Sequence, residues 1–383
     1  MLRFLTAGES HGPALTTIVE GLPAGLEVSP DGLAAELARR RLGFGRGRRM
    51  QIEEDRFEIT GGVRFGRTLG GPVSVIIHNT EWPKWEGEMS PLPGATRKPR
   101  TAPRPGHADL PGMLKYDTHD ARDVLERSSA RETAARAVVG YLAGRVLAAI
   151  GIEVVSHVVA IGSVRSDPAA RPGPGDRSRV DASPVRTFDR EAEISMVEEI
   201  EQAVEARDTL GGVVEVLVFG APPGLGSHVH WDRRLDARLA AALASIQAIK
   251  GVEFGDGFDS AARPGSRAHD EIVYGAAGFE RTADRAGGIE GGMSTGQTIR
   301  MRAAMKPIST LMQPLRTVDV TTKQPAAAFR ERSDVCAVPA AGVVAEHMTA
   351  FVLADEALRK FGGDTVDDLV VAADAYRRRL AGF

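Results

Sequence analysis

Four short runs rich in Val and Ile set the class of fold: Ala14–Val19, Val73–Ile77, Val154–Ile161 and Val213–Phe219. β-Branched residues suit a pleated, half-buried surface, and runs of this length are strand-sized. They lie far apart in the chain, with helical patterns between them. Ser29-Pro30 is a cap residue followed by Pro at the first helical position, which opens a helix to about Leu42. Ser129-Ala130-Arg131-Glu132 has the S-x-x-E form of a capping box and precedes an amphipathic stretch to Ile150, closed by Gly151. Asp232–Lys250, Gly342–Phe361 and Val366–Leu380 are further expected helices. The mostly acidic Glu191–Asp208 reads as the solvated face of another. Strands and helices interleave with no fixed-period repeat and no clear linker, so the expectation is a single α+β domain over residues 1–383. Two stretches are expected as long irregular loops: Glu81–Gly112, dense in Pro and carrying Trp82 and Trp85, and the Pro-rich Arg165–Pro184. The first is read as functional because it ends in a basic segment at His107, the second as a surface excursion.

Composition narrows the classes of function. One cysteine, Cys336, cannot form an internal disulfide, so nothing points to an oxidising compartment. Met1–Gly12 lacks the apolar run of a signal peptide, and no segment reaches the roughly 18 apolar residues of a membrane span. A soluble cytoplasmic protein is expected, with no membrane partner. The formal net charge of −3 argues against general nucleic-acid binding. That balance hides two local runs without acids, Arg39–Arg49 (RRRLGFGRGRR) and Arg97–Arg104 (RKPRTAPR). Solubilising surface charge normally mixes both signs, so these runs suggest a site for a small, highly charged anion.

Familiar motifs are missing: there is no G-x-x-x-x-G-K-[ST] loop, no H-E-x-x-H, no C-x-x-C pair and no G-x-S-x-G elbow. Gly43-Phe44-Gly45-Arg46-Gly47 follows a helix instead of a strand, which speaks against a dinucleotide fingerprint, and the histidines lack metal-ligand spacing. Five segments carry positive signals. Gly8-Glu9-Ser10-His11-Gly12 sets a hydroxyl and an imidazole on a tight turn, suited to proton transfer, although a turn role alone also explains the pair. The Arg39–Arg49 cluster, in a Gly-rich turn, suits phosphate and carboxylate; an RNA-facing patch is the competing reading. Arg104-Pro105-Gly106-His107-Ala108-Asp109 brings a cation, a stiff turn and an imidazole together, with Asp109 able to orient the ring. Arg127-Ser128-Ser129-Ala130-Arg131-Glu132 opens a helix and makes an anion site there. Gly287–Gly296, followed by Lys306-Pro307-Ile308-Ser309-Thr310 and then Arg332-Ser333-Asp334, reads either as hinge glycines or as a phosphate or flavin contact. Residue chemistry alone thus reaches an enzyme that handles a phosphorylated small molecule with histidine acid–base groups.

These segments, in this order, resemble the chorismate synthase family: GESHG, RRRLGFGRGRRM, PRPGHAD, RSSARET, QAIKGVEFGDGF, GGIEGGMSTGQ, KPIST and RSDVCAVPAAGVVAEHM. The match spans Leu2 to about Met348 and weakens in Glu86–Ala95, in Arg165–Pro184 and beyond Phe351. The resemblance implies a β-α-β sandwich assembled as a homotetramer. It implies FMN-dependent conversion of 5-enolpyruvylshikimate 3-phosphate to chorismate by 1,4-anti-elimination of phosphate and a ring proton. Reduced FMN is the implied cofactor, with NADPH as an external or intrinsic reductant. By carry-over, His11 would assist the departing phosphate and His107 would serve the flavin. Asp334 would accept a proton by way of flavin N5, with Ser10 and Ser129 as relays. Arg40, Arg46, Arg49, Arg104 and Arg131 would clamp the substrate. Arg127, Ser128, Ser129, Gln247, Ala248, Gly291, Lys306, Pro307, Ile308, Ser309, Thr310 and Arg332 match the flavin-binding segments. The chain departs from the family at Gln247, where many members have Asn, and at Val124-Leu125-Glu126, which replaces the usual glycines before RSSAR. An RNA-binding protein would need aromatic stacking residues beside its basic runs, and aromatics are only 5% of the chain. A flavin oxidoreductase acting on another substrate is the second alternative, told apart by phosphate release without net flavin oxidation.

Overall fold

The computed structural model describes residues 1–47, 55–96, 98–275, 278–331 and 333–383. Two antiparallel sheets enclose a helical layer. The first sheet is four-stranded, in the order β1-β2-β4-β3, from β1 (Arg3–Ala7), β2 (Ala14–Glu20), β3 (Phe57–Gly61) and β4 (Val73–His78). The second is five-stranded, in the order β8-β9-β7-β5-β6. Its strands are β5 (Glu153–Ile161), β6 (Val164–Arg165), β7 (Gly212–Phe219), β8 (Ile249–Phe254) and β9 (Ile299–Met305). In β4, Val73, Val75 and Ile77 are buried while the residues between them are half-exposed, the period-2 pattern of a strand with one face on the core.

Between the sheets lie α1 (Pro30–Arg39), α4 (Thr133–Ala149), α6 (Leu235–Ala244) and α7 (Val338–Phe361). Helix α4 packs on β2 and on α7, and α7 packs on β5 and β7, so the layers run sheet, helices, sheet. This is the expected β-α-β sandwich. The α4–α7 seam is close because α4 is built largely of small residues. A Cβ added at Gly140 would lie 2.2 Å from His347 Cβ. An ion cluster crosses the same layer: Glu346 on α7 accepts from Arg186 Nη2 (3.0 Å), Arg39 Nη2 (2.8 Å) and Ser156 Oγ (2.8 Å). Burial pushes the Glu346 carboxyl up, but Arg39 and Arg186 hold it well below the usual carboxylate range.

The expected caps and helices are largely present. Ser29 Oγ accepts from Gly32 N at the start of α1, and Gly151 takes a positive φ of 69° just beyond α4. Helix α5 (Arg190–Glu205) turns Met196 and Ile200 inward and its acids outward. The last helix, α8, is Val366–Ala381. Four expectations need correction. Ser129 accepts from Arg131 N and caps a 3₁₀ turn, Ala130–Glu132, ahead of α4, while the Glu132 carboxylate binds Arg136 and Gln247. The helix expected over Asp232–Lys250 is only Leu235–Ala244, because the chain turns at Ser245–Ala248 into β8. The 81–112 stretch holds a short helix, Trp82–Trp85, and the start of α2 (Asp109–Tyr116); α3 (Arg122–Ser128) follows. The 165–184 stretch is not irregular throughout: Arg177–Asp181 is helical, Arg171 Nε reaches Glu215 Oε2 on β7 (3.1 Å), and Arg177 Nη2 reaches Val154 O on β5 (2.8 Å). Among the described residues, no helix is long and apolar enough to cross a membrane.

Candidate active site

The turn between β1 and β2 sets the first histidine. Gly8 has φ +102°, and a Cβ there would sit 2.2 Å from Ala14 O, so only glycine lets the chain double back this tightly. His11 then lies against α3. Its backbone N–H donates to Glu126 Oε2 (2.8 Å), and its Nδ1 is 2.9 Å from Glu126 Oε1 and 3.0 Å from Oε2. An ionised carboxylate only accepts, so Nδ1 carries the hydrogen. Trp85 covers the imidazole with ring centroids 4.0 Å apart. Arg122 lies over the same indole at 4.9 Å and donates to Glu126 Oε1 at 2.6 Å. Burial raises the Glu126 carboxyl, but the hydrogen bond and charge of His11, with Arg122, bring it below its ordinary value. Ser129 Oγ donates to Ser10 Oγ at 3.2 Å, which brings the two expected relay hydroxyls into contact.

The second histidine sits at the N-terminus of α2. His107 Nδ1 is 2.5 Å from Asp109 Oδ1, and Arg104 donates from N (3.0 Å) and Nε (2.8 Å) to Asp109 Oδ2. Arg104 Nη1 also donates to Thr310 Oγ1 (2.8 Å). Burial pushes the Asp109 carboxyl up, yet the hydrogen bonds and charges of His107 and Arg104 outweigh it and hold the carboxyl at about 2. The two histidine centres are joined. Arg122 and Arg100 share Glu331 Oε1 (3.2 and 3.4 Å), and both Arg100 and Arg104 lie over the Phe329 ring, at 5.6 and 4.7 Å.

A third group gathers at Asp55, which ion-pairs with Arg40 Nη2 at 3.1 Å and with Arg131 Nη1. All three side chains are almost fully buried. The Arg40 and Arg131 charges and hydrogen bonds overcome the upward push of burial and lower the Asp55 carboxyl. Arg46 Nη1 pairs with Asp334 Oδ2 (3.1 Å), whose Oδ1 accepts from Gly47 N (2.7 Å). Arg49 and Arg332 lie outside the described residues.

The expected flavin-contact residues form a connected strip with one outlier. Arg127 Nη2 donates to Thr6 O (2.7 Å), Thr6 Oγ1 to Glu132 Oε1 (3.0 Å), and Gln247 Nε2 to Glu132 Oε2 (3.3 Å). Ala248, at φ +69°, accepts from Lys306 N (3.0 Å). Lys306 Nζ reaches Pro307 O (3.4 Å) and Ser309 Oγ (3.2 Å), and Ser309 Oγ donates to Gly106 O beside His107 (3.0 Å). Ile308 O accepts from Thr209 Oγ1 (2.8 Å). Ser128 Oγ turns back onto Val124 O of its own helix (3.0 Å). Gly291 stands apart, in a hairpin whose contacts run to Gly226 and Leu235.

The strip suits a phosphate-bearing group. Among the described residues no carboxylate pairs with Lys306, whose ammonium is pushed down by burial and by the nearby charge of Lys250. At this end of the strip, away from Glu132, Lys306 and Lys250 beside the Ser309 hydroxyl are a donor set for an anion. Across the whole site Arg40, Arg41, Arg46, Arg100, Arg104, Arg122, Arg131 and Lys306 outnumber Asp55, Asp109, Glu126, Glu331 and Asp334. Sequence reasoning misses Asp55, Arg122, Glu126, Glu331 and Phe329. For Glu126 a signal existed, since it falls in the triplet where the chain leaves its family's glycines.

Comparison with known proteins gives one family. The family model described as chorismate synthase matches residues 2–358. Chorismate synthase of Thermobifida fusca (strain YX) is 62% identical over 380 residues, covering 97% of each chain. That of Salinispora tropica is 59% identical over 392 residues, covering 100% of this chain and 98% of the relative. A crystal structure of chorismate synthase superposes with a TM-score of 0.80 at 39% identity, covering 100% of this chain and 99% of the other.

Proposed function

The chain belongs to the chorismate synthase family of lyases, and from that premise we propose that it converts 5-enolpyruvylshikimate 3-phosphate to chorismate by 1,4-anti-elimination. The observation that carries the proposal is the pairing of two carboxylate-anchored imidazoles, His11 and His107, within one network of arginines. The substrate brings a phosphate and two carboxylates, and a site whose cations outnumber its acids suits it. Arg40, Arg46, Arg104 and Arg131 are the clamp. Their guanidinium forks match carboxylate and phosphate, and their own carboxylate partners hold them in place before substrate arrives.

His11 donates its proton to the departing phosphate, which lowers the charge that the leaving group must carry. Asp334, held by Arg46 and Gly47 N–H, stands as acceptor for the ring proton, and Ser10 with Ser129 forms a short hydroxyl path. Arg127, Gln247, Ala248 and Lys306–Thr310 would hold reduced FMN, with His107 managing the proton balance beside it. When bound, reduced flavin supplies electron density to the substrate as phosphate leaves and recovers it, leaving no net redox change. We assign NADPH as the reductant of FMN, acting outside or within this protein. We also assign a homotetramer, one domain over residues 1–383, and a place at the last step of the shikimate pathway in the cytoplasm.

Anaerobic incubation of purified protein with chemically reduced FMN and the enolpyruvyl phosphate tests the proposal. Chorismate and inorganic phosphate are the expected products. Formation of neither overturns it.

A further inference from the structure

The contacts around His11 have a geometry that proton donation alone does not require. Glu126 holds this histidine three times over: through the backbone N–H (2.8 Å), and through Nδ1 by both carboxylate oxygens (2.9 and 3.0 Å). Its backbone carbonyl also takes the N–H of Ser10 (3.0 Å), so the whole Ser10-His11 turn is strung on one residue of α3. Glu126 is in turn fixed by Arg122 one helical turn earlier (2.6 Å), and Trp85 packs against both the Arg122 guanidinium and the His11 ring. The imidazole is thus clamped on its Nδ1 edge and on one face. Nothing in a turn needs this much restraint.

We propose that Glu126 is a positioning residue that locks His11 in its Nδ1–H form and so dedicates Nε2, across the ring, to exchanging a proton with the substrate. A carboxylate that only accepts fixes which nitrogen keeps its hydrogen, and a second contact on the backbone fixes the direction of the ring. When imidazolium gives up a proton it loses it from Nε2, and Glu126 stays ionised throughout, so the charge that stabilised the imidazolium is the charge that orients the neutral ring. Free histidine in water favours the opposite tautomer, with hydrogen on Nε2. That form has no lone pair at Nε2 with which to take a proton back for the next cycle. Arg122 keeps the carboxylate from rotating away, and Trp85 keeps water off the ring face.

The role of Glu126 rests on the assignment of His11 as a proton donor in the elimination, but its first test does not involve turnover. Nitrogen-15 NMR of the histidine rings in the unliganded protein, with His11 assigned through His11→Gln, reads the tautomer directly. The expected result for neutral His11 is a protonated Nδ1 and a bare Nε2. A bare Nδ1 in the wild-type protein overturns the positioning role whatever the enzyme does. Glu126→Ala is then expected to shift neutral His11 towards the Nε2–H form and to lower kcat by roughly 10²-fold, the low end of lost acid–base catalysis, with KM little changed. Glu126→Gln, whose amide oxygen still accepts from Nδ1, is expected to keep the Nδ1–H signal and to recover part of kcat. It also serves as the variant to read if Glu126→Ala fails to fold. Wild-type kcat in a folded Glu126 variant whose tautomer has changed overturns the proposal. If the wild-type protein makes no chorismate while the Nδ1–H form is present, the reaction assignment fails instead, so the two failures are distinguishable.

Discussion

Asp109→Asn isolates the anchor of the second histidine. Asp109 is fully buried and receives Arg104 and His107 together. Its carboxyl moves from an ordinary 3.8 to about 2 in the folded protein. At about 1.4 kcal/mol per pH unit, that depression is worth about 2.5 kcal/mol of stability at neutral pH. Asparagine keeps the shape but loses the charge, and its NH₂ must face either the Arg104 or the His107 donor. A buried donor left unpaired costs about 1–3 kcal/mol more. The two contributions share partners and do not simply add, so a loss of about 3 kcal/mol is expected at pH 7. The sign with pH follows from a depressed carboxyl. Its stabilisation is complete above the unfolded value near 4 and fades as pH falls towards 2, so about 1 kcal/mol of it is gone by pH 3. Urea unfolding of wild type and Asp109→Asn at pH 7, 5 and 3 gives the comparison. The gap should be widest at pH 7 and 5 and should narrow at pH 3. A difference under about 1 kcal/mol, as for an exposed ion pair, or a gap that ignores pH, refutes the reasoning.

Three further outcomes are expected. His11→Ala and His107→Ala should each slow chorismate formation by roughly 10²–10⁴-fold, and wild-type rates in both would remove the histidines from the mechanism. Lys306→Ala should weaken FMN binding by roughly 10–100-fold, the worth of one charge-assisted hydrogen bond, as read by flavin fluorescence; unchanged affinity would move the cofactor elsewhere. Gly140→Ala places a Cβ 2.2 Å from His347 Cβ and should destabilise the fold by about 1–3 kcal/mol in thermal unfolding. A neutral substitution there would mean that the α4–α7 seam is looser than described.

Much of this was legible in the residues, for identifiable reasons. The alternation in Val73–His78 and the Ser29-Pro30 start are local signals, and local signals survive into the fold. The same holds for Gly8-Glu9-Ser10-His11-Gly12, where a turn demands glycine, and for Asp109, two residues from the ring it orients. What was not legible is long-range. Glu126 is 115 positions from His11, and no periodicity links them. Asp55 lies outside the basic run that it organises. The Ala-rich stretch ending at Ala244 continues in composition towards Lys250, and only pairing with β9 turns Ile249–Phe254 into a strand. The 165–184 segment reads as a surface excursion because the contacts that fasten its middle to β5 and β7, from Arg171 and Arg177, are single side chains that no sequence pattern announces. Phosphate chemistry followed from the arginines and histidines, whereas flavin followed only from family resemblance.

The proposed elimination needs reduced flavin without consuming it. Its most direct measurement is the ratio of phosphate released to flavin oxidised, under anaerobic conditions, with substrate in large excess over reduced FMN. Many phosphates and an equal amount of chorismate are expected per flavin, with the flavin spectrum reduced at the end. Phosphate release that stops at one per flavin, with oxidised FMN left behind, would contradict it.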